Sequence, residues 1–464
     1  MDNKSQSLAK GMLIYAIGNF GTKILSFLIV PLYTFYISTE DMGVYDLLIS
    51  TVNLLCPLIT MQIADAAYSW IIRGTAKPKD CIAGSMTLLA FNSVVAVLVS
   101  CVVHSFYPIP HFGQFVLLML SYNALSVIQK FLRGLKNQRL FAISGIVYTA
   151  IFLSLNVLQI CVLRQGVESL LSSAFIANIL TIAMIYLCEK QVRVNFLKKP
   201  DFKVIKAMLV FAIPLIPNQL NWWVINSSDR FIVTAFLGLS ATGVFAIAHK
   251  FPSILQLVLS LFTTSWQDLA VADQEKPDAF YGDVFKRLYV IAFSLLLPVI
   301  PATRLVITWF MDSSYHAAAN YVAFLYMGTV FQAFSSFYGV GYLRSKDTKQ
   351  ASATSIYGAV INILVHVSLV KVIGLQAASL STFLGFLVMW LIREKQNRKE
   401  LNIRIRWGHF LLCALPVLAL SIASSYTNTM IDCILAGLGG VAFLVINHRF
   451  ILDLLGKFKK KLIH

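Results

Sequence analysis

Apolar runs of about 20 residues recur along the whole chain, and each is long enough for a helix that crosses a lipid bilayer. Only 13% of the 464 residues are charged, whereas a soluble protein carries about 25%. The sequence therefore predicts an all-α integral membrane protein with fourteen spans, or twelve if the short, Gly/Ala-rich last two do not cross. The fourteen lie near residues 12–37, 44–72, 82–103, 114–132, 141–163, 168–188, 205–236, 242–266, 288–310, 320–343, 351–370, 374–392, 408–424 and 429–447.

The lysines and arginines indicate how the chain is oriented. With the N-terminus inside, most of the 38 basic residues fall in the termini and the inner connections, and the outer connections hold only Arg164 and Lys371. This asymmetry follows the positive-inside rule and predicts that both termini are cytoplasmic. The net charge of +17 therefore reflects membrane topology, and we do not predict a nucleic-acid partner.

Two short motifs recur at corresponding places in the two halves of the chain. MLIYAI (12–17) and MLVFAI (208–213) open the first and seventh spans, while GVYDLL (43–48) and GVFAIA (243–248) open the second and eighth. An even number of spans lies between the copies, so the two repeats have the same orientation. Parallel repeats are typical of transporters, which bind substrate at the repeat interface. We therefore predict two six-helix lobes around a central cavity.

The remaining segments complete the predicted domain organisation. The basic tail either contacts anionic membrane lipid from the inner side or is a solvated segment. In chain order, the predicted parts are the N-terminal lobe (1–188), a basic cytoplasmic linker (189–206), the C-terminal lobe (207–392), a second cytoplasmic linker (393–407), an additional helix pair (408–448) and the tail (449–464).

A few basic residues lie inside the predicted spans and not in the connections. Lys23, Arg230 and Lys250 are the clearest, and each would cost about 2.5–3.5 kcal/mol if it faced lipid. A water-filled cavity removes most of this cost, so we predict that these residues line one and bind an anion such as phosphate. Asn19 lies one turn from Lys23 and joins the predicted site. Arg304 is a further candidate, although it lies close enough to the outer surface to reach it.

The seventh span carries polar residues on one face. Asn218, Asn221, Trp222 and Asp229 fall within about 100° of one another on a helix. Amides that bond hydroxyl groups and an indole that stacks on a ring suit a sugar. Three alternatives stay open, since the asparagines could form interhelical hydrogen bonds, Trp222 could be a packing residue, and Asp229 could pair with Arg230.

Two carboxylates inside spans are candidates for ion coupling. Asp65 and Asp229 could bind a proton or a sodium ion during transport, because intramembrane carboxylates often titrate in transporters. Lys130, one turn from Arg133, is predicted to extend to the inner surface. The seven cysteines form no CxxC pair, so we predict neither a metal site nor a cofactor.

Two stretches resemble a known family. IVPLYTFYISTEDMGVYDLLIS (29–50) and SSDRFIVTAFLGLSATGVFAIAHKF (227–251) are similar to segments of bacterial oligosaccharide flippases for O-antigen, capsule and exopolysaccharide. These belong to the multidrug/oligosaccharidyl-lipid/polysaccharide (MOP) exporter superfamily. The resemblance implies two six-helix lobes, often with an added helix pair. It also implies a basic cavity, which Lys23, Arg230 and Lys250 would match.

The implied function is transport without enzymatic activity. Such a carrier moves an undecaprenyl-diphosphate-linked repeat unit from the cytoplasmic to the periplasmic leaflet of the bacterial inner membrane by alternating access. Its partners would be that glycolipid, a proton or sodium counter-ion, and the polysaccharide polymerase and assembly machinery.

Three other functions stay open. A flippase for lipid-linked peptidoglycan precursors shares the fold and the charge. A cation-coupled multidrug antiporter of the same superfamily would favour acids in its cavity, whereas bases outnumber acids here. A membrane glycosyltransferase or polymerase usually carries catalytic residues on a large outer loop, and the outer connections at 104–113 and 311–320 are too short for this.

Overall fold

The computed structural model describes residues 27–196, 198–272, 278–345, 347–401, 403–449 and 452. Within these ranges all the regular elements are helices, which confirms the predicted all-α fold. The helices are α1 (Val30–Tyr36), α2 (Thr39–Ile59), α3 (Ile63–Arg73), α4 (Pro78–Phe106), α5 (Phe112–Gly134), α6 (Gln138–Val157), α7 (Val167–Cys188), α8 (Lys190–Asn195), α9 (Phe202–Ala212), α10 (Ile216–Leu237), α11 (Leu239–Ala272), α12 (Asp278–Phe310), α13 (Val322–Arg344), α14 (Thr348–Ile373), α15 (Gln376–Leu401), α16 (Trp407–Ala423) and α17 (Thr429–Ile446).

The described helices lie at the predicted spans, although the second and seventh predicted spans are each divided between helices. Twelve segments of the described residues are helical, long and apolar enough to cross a membrane, so the chain is a multi-pass membrane protein. Helix α13, at the tenth predicted span, is 23 residues long and is not one of these twelve. Most of the first predicted span, near 12–37, lies outside the described residues.

The chain divides into two compact units, Met1–Arg230 and Phe231–His464. The first includes α9 and most of α10, which the repeat assigns to the C-terminal lobe. Close packing explains this, because a Cβ added at Gly84 of α4 would lie 2.9 Å from Ile205 of α9. The predicted lobe boundaries are based on the sequence repeat, whereas the two units are defined by packing. The lobe boundaries therefore remain predictions.

Aromatic side chains fill the core of the second unit. Trp390 of α15 is buried and packs against Phe334 of α13 and Phe410 of α16. The added helix pair is held tightly, since a Cβ at Gly439 of α17 would lie only 2.6 Å from the Leu297 backbone of α12. The small residue lets the two helix backbones approach closely, as is common between membrane helices.

Candidate functional site

The second predicted span is not one helix but two. Helix α2 ends at Ile59 and α3 begins at Ile63, and between them Met61 and Gln62 have left-handed φ angles of 46° and 52°. The Asn92 side chain of α4 donates a 2.8 Å hydrogen bond to the free carbonyl of Ile59. Irregular backbone at membrane depth is stable only where it is buried in protein or lines a watery cavity.

A polar cavity of about 370 Å³ lies beside this break, within the first unit. We call it the polar cavity. Its size is within the range of small-molecule sites. Its wall comes from α2, the break, α3, α5 and α10, and the lining residues include Asn53, Cys56, Thr60, Gln62, Asp65, Tyr122, Ser126, Lys130, Gln219, Trp222 and Trp223.

An ion pair joins two sides of the polar cavity. The Lys130 ammonium group of α5 bonds the carboxylate of Asp65, in the first turn of α3. The side chains keep 34% and 26% of their surface exposed, so both groups are accessible from the cavity. The sequence predicted that Lys130 extends to the inner surface, but it did not predict the pairing with Asp65.

Polar contacts fix the rest of the wall. The Tyr122 hydroxyl of α5 donates to Asn53 Oδ1 of α2 at 2.8 Å. The Trp223 indole donates to the Ser50 carbonyl at 2.9 Å, which holds α10 against α2. Trp222 and Gln219 of α10 then border the cavity.

Arg230 forms an ion pair with an acid that the sequence analysis did not consider. Its Nε lies 3.1 Å from Asp46 Oδ2 of α2, and the two side chains are 12% and 16% exposed. It also donates to the Asn226 carbonyl. The neighbouring Asp229 is buried. Arg230 is not part of the polar cavity wall, so the structure places it where it joins α2 and α10.

The predicted site residues Asn218, Asn221 and Lys250 do not line the polar cavity. Asn218 is exposed and Asn221 is half-buried. Lys250 is half-buried on α11 of the second unit. Lys23 and Asn19 lie outside the described residues, so their shared vestibule with Lys250 remains a prediction.

Arg304 is engaged entirely within the second unit. It is buried, with Nε 3.0 Å from Asp432 Oδ2 of α17. It also donates to Ala319, Asn320 and Thr427. These contacts attach the added helix pair to α12.

The second unit carries a polar face that the sequence reading missed. A small cavity of about 90 Å³ lies between α11 and α13, where Gln256 donates to Gln332 at 3.0 Å. The alignment of GVYDLL with GVFAIA pairs Gln256 with Cys56 and Ser260 with Thr60. The corresponding faces of α2 and α11 are therefore both polar. The lining of the polar cavity includes charged residues, whereas the lining of the small cavity does not.

Comparison with solved structures identifies the fold. The chain is similar to a lipid II flippase MurJ in an inward closed conformation, with a TM-score of 0.71 and 14% identity over 96% of this chain and 100% of that one. It is also similar to an inward-facing multidrug resistance MATE family transporter of the MOP superfamily, with a TM-score of 0.67 and 14% identity over 82% and 94% of the two chains. This is the fold of MOP-superfamily membrane transporters.

A family model described as "Polysaccharide biosynthesis protein" matches residues 8–266. The match covers more than half of the chain, so the protein belongs to this family. No curated protein sequence shows significant similarity to it. Family and fold together indicate a transporter and not an enzyme, as the sequence predicts.

Proposed function

We propose that this protein flips undecaprenyl-diphosphate-linked oligosaccharides from the cytoplasmic to the periplasmic leaflet of a bacterial inner membrane. Both termini are cytoplasmic in this proposal, and the two lobes provide access alternately from each side. The observation that carries it is the polar cavity, in which a lysine, a carboxylate and an indole surround a helix break within a predicted span. The family and the fold support it independently.

Lys130 is the proposed ligand of the diphosphate. An ammonium group attracts phosphate strongly where the local dielectric is low. Lys130 reaches the polar cavity from α5 and is partly accessible. Lys23 and Lys250 remain proposed contributors to the anion path, whereas we assign Arg230 and Arg304 to the ion pairs that stabilise each unit.

The neutral part of the polar cavity suits a sugar. Trp222 offers an aromatic face, and Asn53 and Gln219 offer amides. Sugar hydroxyl groups bond amides, and the apolar face of a sugar ring stacks on an indole. The diphosphate would therefore lie near α5 while the first sugar contacts α10.

The ion pair suggests how substrate and counter-ion are coupled. A diphosphate that binds Lys130 competes with Asp65 for the same ammonium group. Once displaced, the Asp65 carboxylate is left without its cation and takes up a proton or a sodium ion. Asp229 is the second proposed coupling residue, because it is a buried carboxylate and such groups are costly unless they are compensated.

A flippase for lipid-linked peptidoglycan precursors is the second candidate. Its substrate has the same lipid diphosphate, and one similar fold belongs to a lipid II flippase. The identity of the glycan distinguishes the two candidates. The partner does so as well: an oligosaccharide flippase would work with a polysaccharide polymerase and its assembly machinery, and a peptidoglycan-precursor flippase with cell-wall synthesis.

Flipping by the purified protein in proteoliposomes tests the proposal. The substrates are a fluorescent undecaprenyl-diphosphate oligosaccharide, lipid II and a cationic dye. We expect the oligosaccharide to be flipped fastest. Faster flipping of lipid II would favour the second candidate, and transport of the dye alone would identify a drug antiporter.

A further inference from the structure

A second, apolar cavity of about 530 Å³ lies in the first unit. We call it the apolar groove. It runs between α2 and α4 and is completed by Phe115 of α5 and Ile216 of α10. Leucine and isoleucine side chains of α2 form one wall, and Val95, Val99 and Val103 of α4 form the other.

The apolar groove and the polar cavity meet at the helix break. Ile59 and Met61 border the groove, whereas Thr60 and Gln62 border the polar cavity. The same change occurs on α10, where Ile216 lines the groove and Gln219, about one turn later, lines the polar cavity. One molecule with a polar and an apolar end could therefore occupy both.

The groove offers its occupant almost no hydrogen bonds. Of its polar side chains, Asn92 donates to the Ile59 carbonyl and Thr51 donates to the Leu47 carbonyl. Both groups are thus satisfied by backbone, and Ser100 is buried. A water-soluble ligand would lose its hydration here without compensation.

The outer wall of the groove is open to the membrane. Val99 is 56% exposed, and α4 is among the least buried of the candidate spans. Exposed apolar side chains in a predicted span face hydrocarbon. An occupant can therefore enter sideways from the bilayer without crossing the polar cavity.

We propose that the apolar groove binds the polyprenyl tail of the lipid whose diphosphate head lies in the polar cavity. The inference rests on the proposed function and adds a tail site to it. The wall at Ile59–Gln62 separates the two ends of the same molecule. On the predicted topology, Val95–Val103 lies in the outer half of the span, so the tail is held beside the outer leaflet while the head is still in the polar cavity.

The test compares lipid probes that share one head group. The probes are a disaccharide diphosphate on a long polyprenyl chain and the same head on a short chain of two isoprene units. Equilibrium binding is measured with protein in nanodiscs, whose phospholipid competes for the groove. We expect the wild type to bind the long-chain probe about tenfold more tightly than the short-chain probe, which corresponds to about 1.4 kcal/mol of binding free energy.

Filling the groove should remove this preference. Ala96→Trp places an indole in the groove, and we expect it to weaken long-chain binding about tenfold while short-chain binding is unchanged. Leu98→Trp is the matched control, because Leu98 is on the same helix, exposed, and absent from the groove wall. Val99→Trp repeats the test at an exposed position if Ala96→Trp does not fold.

Each outcome has a distinct meaning. Equal wild-type affinity for both probes shows that bulk phospholipid fills the groove and overturns the inference, while the proposed function stands. Equal loss of both probes in the Trp variants overturns it as well. If the wild type binds neither probe, the proposed function itself fails.

Discussion

Lys130 of α5 and Asp65 of α3 form an ion pair on the wall of the polar cavity, directly after the break that separates α2 from α3. The pair keeps the cavity neutral when it is empty of anion. We propose that a diphosphate in the polar cavity competes with Asp65 for the Lys130 ammonium group. On this proposal, substrate binding changes the charge environment of Asp65 through the shared ammonium group.

Removing the charge of Asp65 should separate binding from coupling. In Asp65→Asn, Lys130 has no competing carboxylate, so we expect the affinity for lipid diphosphate to rise several-fold. Transport should at the same time lose its dependence on pH or sodium. Parallel measurements of Kd and of flipping across pH and sodium concentration check this, with Asp229→Asn as the second variant. Unchanged ion dependence in both variants would remove coupling from the account.

The Arg230–Asp46 pair should stabilise the first unit. The pair is partly buried, so breaking it from one side should cost less than the value of about 3–5 kcal/mol for a fully buried pair, in which the remaining charge is left uncompensated. We expect Arg230→Ala and Asp46→Ala each to lower the melting temperature, and the double variant to be less destabilised than the sum. Thermal unfolding in detergent measures the melting temperatures of the wild type, the two single variants and the double variant. Normal stability in Arg230→Ala combined with weaker substrate binding would instead assign Arg230 to the site.

The Arg304–Asp432 pair should hold the added helix pair. In Asp432→Ala, Arg304 loses its carboxylate and α17 loses its main polar contact with α12. We expect faster proteolysis at the turn Ser424–Tyr426, where Tyr426 is already exposed, and unchanged affinity for the lipid diphosphate. A large fall in affinity without increased proteolysis would mean that Arg304 contacts substrate.

Lys23 and Lys250 should face water. With the native cysteines replaced, Lys23→Cys and Lys250→Cys should react with a membrane-impermeant thiol reagent, and the lipid diphosphate should slow the reaction. Leu98→Cys, exposed on α4, is the lipid-facing control and should stay unlabelled. Labelling of neither lysine position would mean that the predicted basic vestibule does not exist. If the vestibule exists, Lys23→Ala and Lys250→Ala should each weaken export.

The sequence predicted the fold well because the bilayer imposes a length and a polarity on each span. Apolar runs and basic connections are local features, and they located the helices. The break at Thr60–Gln62 itself contains neither Gly nor Pro, and the nearest local signal, Pro57 in the last turn of α2, was not used. Its carbonyl is satisfied by Asn92 of another helix, a contact that local patterns do not reveal.

The site was predicted less well for the same reason. The pairs of Lys130 with Asp65 and of Arg230 with Asp46 join different helices, and the sequence does not specify such partners. One signal was present: Tyr122, Ser126 and Lys130 recur every fourth residue and so share a face of α5. That stripe indicated a polar surface within the span.

The most direct test of the central claim is lipid diphosphate binding by Lys130→Gln, which removes the ammonium charge but keeps a polar side chain. Lys206→Gln, at an exposed position on α9, is the matched control. We expect Lys130→Gln to weaken binding of an undecaprenyl-diphosphate disaccharide at least about tenfold, with the control unchanged. Wild-type affinity in Lys130→Gln would show that the polar cavity does not bind the anion.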